Sequence, residues 1–516
     1  MYRTVAQLDS VMQILALFFP QMCTRIPLRN NSVEGRPIFA LKIHAGTATN
    51  RRGVLLIGGM HARELMNPDA LAELQLDLVQ AYLNETGLTY GGKVFSALDI
   101  KSMLESLDVW MLPCANPDGR EYVMNVNNMW RPNRRPNPGT TCFGVDVNRN
   151  CDIVWGVTTS TTSCNPCQET YVGSGPFSEP ESLNIKHLCD DFRIDVFLDV
   201  HSYSEFVLFP WGHAPTQTTD PSQRFTTLAT GTCLPLSPPG YQEYMLPRDQ
   251  VRFQRVSSKI VDDIRAVRGR TYTAGTVFNV VYATSGTSSD YVYSRHIANG
   301  TLHKTYGFAF ETGPFDTSVP NSFHPEDPTA IKRDVKAGMI SLMLQSICAI
   351  EFIGGSLLGA SVKPIRKVRD KQLETTAGGR EAIALFERIQ TPLLGLILKD
   401  KSLTKEAMSL LDRATKLLAN EKAIVGADDV KLGLALVDSV AERASSIALR
   451  RDLNTVRKQL VNAKGKSVRA VLDQILKTRS KVTPTSSSRK DGTPKRSRPT
   501  KSRRTQGKPR SKRGKS

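Results

Sequence analysis

Short apolar runs alternate with longer stretches of helical period along the first two-thirds of the chain. Runs at 37–43, 53–58, 107–112, 194–200, 206–209 and 306–311 are rich in Val, Ile, Leu and Phe and predict strands, most of them with little polar alternation. Between them, 69–84, 92–106, 179–192, 249–267, 288–297 and 328–352 space their apolar residues three and four apart and predict helices. Near the start, Leu8, Val11, Met12, Leu15, Phe18 and Phe19 share that spacing, while Asp9 and Gln13 break the apolar run. An amphipathic helix packed on the domain is expected there rather than an export signal. The alternation over residues 1–352 predicts an α/β fold, a sheet with helices on its faces. Ligands in such folds sit in loops at the carboxyl ends of strands.

The pattern changes near Gly354. Gly354-Gly355-Ser356 and the basic stretch 363–371 read as a linker, taken as 353–379. Residues 380–480 are rich in Ala, Leu, Lys, Glu and Arg, and 405–420, 428–450 and 468–477 have helical periodicity, so a helical region follows. From 481 to 516 Ser, Thr, Pro, Lys and Arg dominate, and a disordered basic tail is expected. Charge sharpens this division. Of the net +19, the tail supplies +13, from fourteen Lys or Arg against the single Asp491, leaving +6 for the first 480 residues. The basic character therefore belongs to the tail, which suits non-specific binding to anionic polymers (nucleic acid, membrane or cell wall) through charge alone. It lacks interleaved aromatics, so base stacking is not indicated. No apolar run approaches the ~20 residues that cross a bilayer.

Four of nine cysteines lie close together: Cys142, Cys151, Cys164 and Cys167. Cys164-x-x-Cys167 has no second pair at zinc-finger spacing, which favours local disulfides or ordinary thiols. Cys23, Cys114, Cys189, Cys233 and Cys348 stand in apolar or mixed contexts and read as buried thiols.

Chemistry gathers where the apolar runs end. Gly58-Gly59-Met60-His61-Ala62-Arg63-Glu64 follows the run 54–57, and His201 ends the run 196–200. Two imidazoles and one carboxylate make a three-ligand zinc set with a fourth position open. Glu311 ends the run 307–310, where a buried charge is costly unless it is used. Asn116-Pro117-Asp118-Gly119, Trp130-Arg131, Val145-Asp146-Val147-Asn148-Arg149-Asn150, His201-Ser202-Tyr203-Ser204, Tyr282-Ala283-Thr284-Ser285-Gly286 and Phe308-Ala309-Phe310-Glu311 complete the set.

In this order, from about residue 37 to 312, the motifs resemble the zinc metallocarboxypeptidase family (peptidase M14), the carboxypeptidase A and B group. The resemblance implies a mixed eight-stranded sheet covered by helices, and one Zn2+ per chain held by His61, Glu64 and His201. It implies Glu311 as catalytic base and Arg131 as the oxyanion-stabilising arginine. Asn148 and Arg149 would hold the substrate's C-terminal carboxylate, and Tyr282 would close over the bound residue. Tyr203 and Arg63 would make secondary contacts, and Ser289 would help to set side-chain preference. The reaction implied is hydrolysis of the C-terminal peptide bond of peptides or proteins with a free C-terminus. The resemblance also pairs Cys142 with Cys167, leaving Cys151 and Cys164 as a second pair. Two positions depart from the family pattern. Ser289 is neither acidic nor apolar, and Cys151 stands where an aromatic residue commonly follows Asn-Arg-Asn. His44, His187, His213, His296, His303 and His324 match no motif and read as surface or packing residues.

Two other readings stand beside this one: a binding or anchoring protein that keeps the fold and acts through its tail, and a zinc hydrolase of another amide, such as cell-wall peptides. Family habit and disulfide-compatible cysteines point outside the cell, which is the preferred expectation, and the missing export signal makes the cytoplasm the alternative. The oligomeric state is left open by the sequence.

Overall fold

The computed structural model describes residues 2–48, 51–228, 234–235, 240–314, 322–348, 350, 353, 362–397, 399–444 and 446–477. Eight strands form its central sheet: β1 (Cys23–Pro27), β2 (Phe39–Ile43), β3 (Arg52–Gly58), β4 (Leu107–Leu112), β5 (Val196–His201), β6 (Phe206–Phe209), β7 (Thr273–Thr276) and β8 (Tyr306–Glu311). Their spatial order is β1-β2-β4-β3-β5-β8-β6-β7. The four middle strands β4, β3, β5 and β8 are parallel. On one side β2 is antiparallel to β4 and β1 is antiparallel to β2, and on the other β6 is antiparallel to β8.

The sheet is mixed, and its middle explains the apolar runs. Strands covered on both faces need apolar side chains at every position, and Val54, Leu55, Leu56 and Ile57 of β3 are all fully buried. The edge strands β1 and β7 were not expected. They are short and partly exposed, and Thr-Ala-Gly-Thr in β7 carries no apolar pattern. The last strand in sequence, β8, lies in the middle of the sheet between β5 and β6. The carboxyl ends of β3, β5 and β8 therefore open on one edge, and the ladder sets Glu311 opposite His201.

Helices cover both faces: α1 (Val5–Phe18), α2 (Met66–Leu83), α3 (Ala97–Ser106), α4 (Pro117–Asn125), α5 (Pro180–Asp191), α6 (Pro247–Arg268), α7 (Ser288–Ala298) and α8 (Thr329–Ser346). α1 is the expected amphipathic helix. It buries Leu8, Met12 and Leu15 and starts with a capping box between Thr4 and Gln7. The expected helix 92–106 is shorter than its pattern. Lys93–Phe95 pairs with Leu88–Tyr90 as a hairpin, and Ser96 then caps α3 by accepting the Asp99 amide at 3.1 Å. Helix α8 ends at Ser346, and residues 349 and 351–352 of the expected span lie outside the described residues.

Beyond it come α9 (Lys363–Lys371), α10 (Ala377–Ile397), α11 (Lys401–Leu418), α12 (Ala427–Arg443), α13 (Ile447–Ala463) and α14 (Val468–Lys477). Part of the stretch read as a linker is thus helical, because Val368 supplies a buried face among the Lys and Arg residues of α9. The rest of that linker, 354–361, and the basic tail lie outside the described residues. The single helix expected at 428–450 is two. The backbone is extended at Ala444, and Ser446 caps α13 by accepting the Leu449 amide at 3.3 Å. Ile389, Leu394, Ile397, Leu403 and Val440 of these helices join the same apolar core as Leu41 and Val54 of the sheet. Arg252 of α6 also reaches Glu387 of α10 at 3.3 Å. Among the described residues no helix is long and apolar enough to cross a membrane.

Cys142 and Cys167 form a disulfide. Cys151 and Cys164 do not pair. Cys151 is buried, with its amide bonded to Gly286 O at 3.1 Å, whereas the Cys164 thiol faces Gly156 O. Cys233 lies outside the described residues.

Candidate metal centre and active site

The site begins where β3 stops. Gly59 turns the chain at φ +66°, and a Cβ there would meet the Pro68 ring at 2.9 Å, so the position calls for glycine. The loop then carries His61 and Glu64 into α2. Asn116, the N-cap of α4, donates through its side chain to Met60 O at 3.2 Å and Pro132 O at 3.1 Å. The amide of Ala62 donates to Arg131 O at 2.9 Å. These bonds zip the loop carrying His61 to the loop carrying Arg131. His201 arrives from β5 and Glu311 from β8, as neighbours in the parallel ladder.

His61, Glu64 and His201 converge, with ligand atoms all within 4.8 Å of one another and all three residues buried. Glu64 Oε1 is 2.7 Å from His61 Nδ1, Glu64 Oε2 is 3.2 Å from His201 Nδ1, and the two Nδ1 atoms are 3.0 Å apart. The far side of each ring faces a carboxylate. His61 Nε2 is 3.2 Å from Asp146 Oδ1, and His201 Nε2 is 2.8 Å from Asp199 Oδ2. Rings held this way donate from Nε2 and turn Nδ1 to the common point. Two imidazole nitrogens and a carboxylate aimed at one buried point fit a zinc ion. Burial raises the Glu64 carboxyl, but His61 and His201 outweigh it and hold the group well below the usual carboxylate range. Burial lowers His201, yet Asp199 and Glu64 prevail and hold its pKa well above the ordinary value. A proton and a metal ion are alternatives at such a nitrogen.

The neighbouring groups are ordered by Asp146. Its Oδ2 accepts from Arg131 Nε at 3.0 Å and Nη2 at 2.8 Å, and its Oδ1 accepts the Asn148 amide at 3.0 Å. Burial opposes ionisation of Asp146, but Arg131, Arg149 and His61 hold its carboxyl well below the usual range. Asn148 and Arg149 lie in the one-turn helix Val147–Arg149. Arg149 donates from Nε to Thr161 O and from Nη1 to Asn148 O, while its buried Nη2 has no hydrogen-bond partner among the described residues. The Tyr282 ring centre lies 5.8 Å from the same guanidinium. Burial, reinforced by Glu64 and Asp199 against His201 and Arg131, raises Glu311 to about 8.

The other expected residues are placed as follows. Ser289 is buried in the first turn of α7, with its carbonyl packed against Gly307 of β8. Arg63 is bonded to Glu169 at 2.9 Å and lies over the Phe323 ring, which Tyr203 also touches. Asp146, Asp199 and Ser288 were not singled out in the sequence. Asp146 stood inside a recognised motif, and Asp199 interrupts an apolar strand two residues before His201, on the same face. His213 is not a plain packing residue: it is fully buried between Glu243 at 2.8 Å and Asp290 at 3.5 Å.

The family model described as zinc carboxypeptidase matches residues 8–339. Carboxypeptidase A1 of Rattus norvegicus is 28% identical over 311 residues, which are 60% of this chain and 62% of that protein. Carboxypeptidase B of Bos taurus is 30% identical over 282 residues, 54% of this chain and 55% of that one. The chain thus spans less than two-thirds of the length of these curated relatives. Among solved structures, bovine thrombin-activatable fibrinolysis inhibitor in complex with tick carboxypeptidase inhibitor matches in fold. It has a TM-score of 0.51 and 21% identity, covering 66% of this chain and 96% of that chain.

Proposed function

Since this chain belongs to the zinc carboxypeptidase family, we propose that it is an active zinc-dependent carboxypeptidase that removes the C-terminal residue of peptides or proteins. The observation that carries this reading is the convergence of His61, Glu64 and His201 with Glu311 beside His201 in the sheet. His61, Glu64 and His201 would hold one Zn2+. Zinc, when bound, supplies a Lewis acid that lowers the pKa of water and polarises a carbonyl.

Glu311 takes the proton of the attacking water at its carboxylate and passes it to the departing amine. Its place beside His201 at the carboxyl end of the sheet suits both steps, because the carboxylate stands within reach of the point where His61, Glu64 and His201 converge. Arg131, held by Asp146, presents a fixed guanidinium to the negative charge that develops on the former carbonyl oxygen. Arg149 has a buried Nη2 to spare, and with Asn148 it would bind the substrate's terminal carboxylate by charge-assisted hydrogen bonds. That anchor selects chain ends over internal bonds. Tyr282 covers the bound residue from beside Arg149. Tyr203 and Arg63 would meet the preceding part of the peptide, and Ser289 the terminal side chain.

The test is a panel of short peptides differing only in the last residue, incubated with zinc-loaded protein and read by mass spectrometry. Loss of one C-terminal residue at a time is expected, and amidation of the C-terminus abolishes most cleavage. Glu311→Gln keeps its zinc and lowers kcat by about 10²–10⁴ or more. Internal cuts, or indifference to amidation, overturn the carboxylate anchor.

A further inference from the structure

Asp199 is a fully buried carboxylate in the middle of β5, between Leu198 and Val200. A carboxylate in such a place is costly unless paired. The strand period puts it on the same face as His201, and its Oδ2 lies 2.8 Å from His201 Nε2. The same oxygen accepts from Ser288 Oγ at 2.6 Å. Asn148 Nδ2 also approaches Nε2, at 3.2 Å. A bare Nε2 would set its lone pair against those of Asp199, so the proton sits on Nε2 and points at the carboxylate. Asn148 does not replace Asp199 as acceptor, because the atom it turns to the ring is Nδ2, a donor, its Oδ1 being turned to the Ser288 amide at 2.8 Å. Ser288 therefore ties the first turn of α7 to Asp199 through its side chain and to Asn148 through its backbone.

The geometry points to Asp199 and Ser288 as a positioning pair for the metal: Asp199 accepts the Nε2 proton of His201 and so turns Nδ1 to the ion, and Ser288 fixes the carboxylate. This rests on the zinc reading above. Each imidazole then has its own buried carboxylate, Asp146 behind His61 and Asp199 behind His201. Such partners fix the ring and strengthen its donor nitrogen. They differ in what else they hold, since Asp146 also binds Arg131 whereas Asp199 also binds the helix that follows the Tyr282 turn.

The experiment measures zinc affinity of the full chain by competition with a chromophoric chelator, alongside the visible spectrum of the cobalt-substituted protein. Asp199→Asn is expected to weaken zinc binding about 10–100-fold and to shift the cobalt bands, with the circular dichroism of the metal-free protein unchanged. Ser288→Ala weakens binding by a smaller factor, and Ser288→Thr restores it. Zinc affinity of Asp199→Asn within about twofold of the parent overturns the pair. Should Asp199→Asn fail to fold, Ser288→Ala decides the matter: affinity equal to the parent overturns the pair, and a loss restored by Ser288→Thr supports it. A parent chain that binds no zinc overturns the zinc reading itself, and the pair's role with it.

Discussion

At the scale of single residues, several buried charges of this protein are matched in groups, those around Asp146 and Glu243 among them. His213 shows what that implies. Burial lowers its pKa, but hydrogen bonding and charge from Asp290 and Glu243 outweigh this and raise it to about 9. Glu243 is itself held by the Tyr241 hydroxyl at 2.6 Å and by the amides of Phe225 and Tyr244. A histidine whose folded pKa exceeds its unfolded value of about 6.5 adds stability that is complete below that value and is lost as pH rises through the folded pKa. The parent should therefore lose on the order of 3 kcal/mol between about pH 6.5 and 9 from this group. His213→Gln should be less stable at pH 6 and show a flatter profile over the same range. Urea unfolding at a series of pH values measures both, and an equally steep profile in the variant would assign the loss to other groups.

At the scale of elements, the turn between Tyr282 and Ser288 is built against the backbone of Arg149. Gly286 has φ +66°, and a Cβ there would stand 2.3 Å from Arg149 O and 3.2 Å from Arg149 Cα. Backbone cannot yield as a side-chain tip can. Gly286→Ala should displace the Arg149 turn and raise KM for free C-terminal peptides by about tenfold or more, with zinc content unchanged. Steady-state kinetics with metal analysis checks this, and an unaltered KM would detach the turn from the anchor. Elements of this kind differ in how far the sequence announces them. β3, β5 and β8 were legible because strands covered on both faces need apolar residues throughout. β1 and β7 were not, since edge strands are half exposed and their pairing is decided by distant partners. The start of α3 was marked by Ser96 and Asp99, but the helical period of 92–106 ran past that signal. The break at 444–446 is made by a single cap, which periodicity does not register. In the site, His61, His201 and Glu311 draw notice because each stands where an apolar run ends, and Glu64 because it follows His61 by three residues; their roles come from the family resemblance. Asp199 and His213 could not be assigned, because their meaning lies in partners far along the chain or across the sheet.

At the scale of the whole molecule, the sheet and the helices after Ala377 share one apolar core. Residues Met1–Thr478 form one unit, so unfolding of that unit should be a single cooperative event. Calorimetry should give one transition, and a chain ending after residue 353 should melt at lower temperature with its apolar surface open to hydrophobic dyes. Two well-separated transitions in the full chain would show instead that the helical region is independent. The sheet order has a consequence in time. β8 is the last of the eight strands to be made, yet it is the one that joins β5 to β6 and brings Glu311. A nascent chain on the ribosome therefore carries His61, Glu64 and His201 before it carries Glu311, and until residue 311 has emerged the two parts of its sheet have no strand between them. On the function proposed above, a chain shorter than 311 residues would hold the candidate metal site without its base, so the strand order itself would keep such a chain inactive.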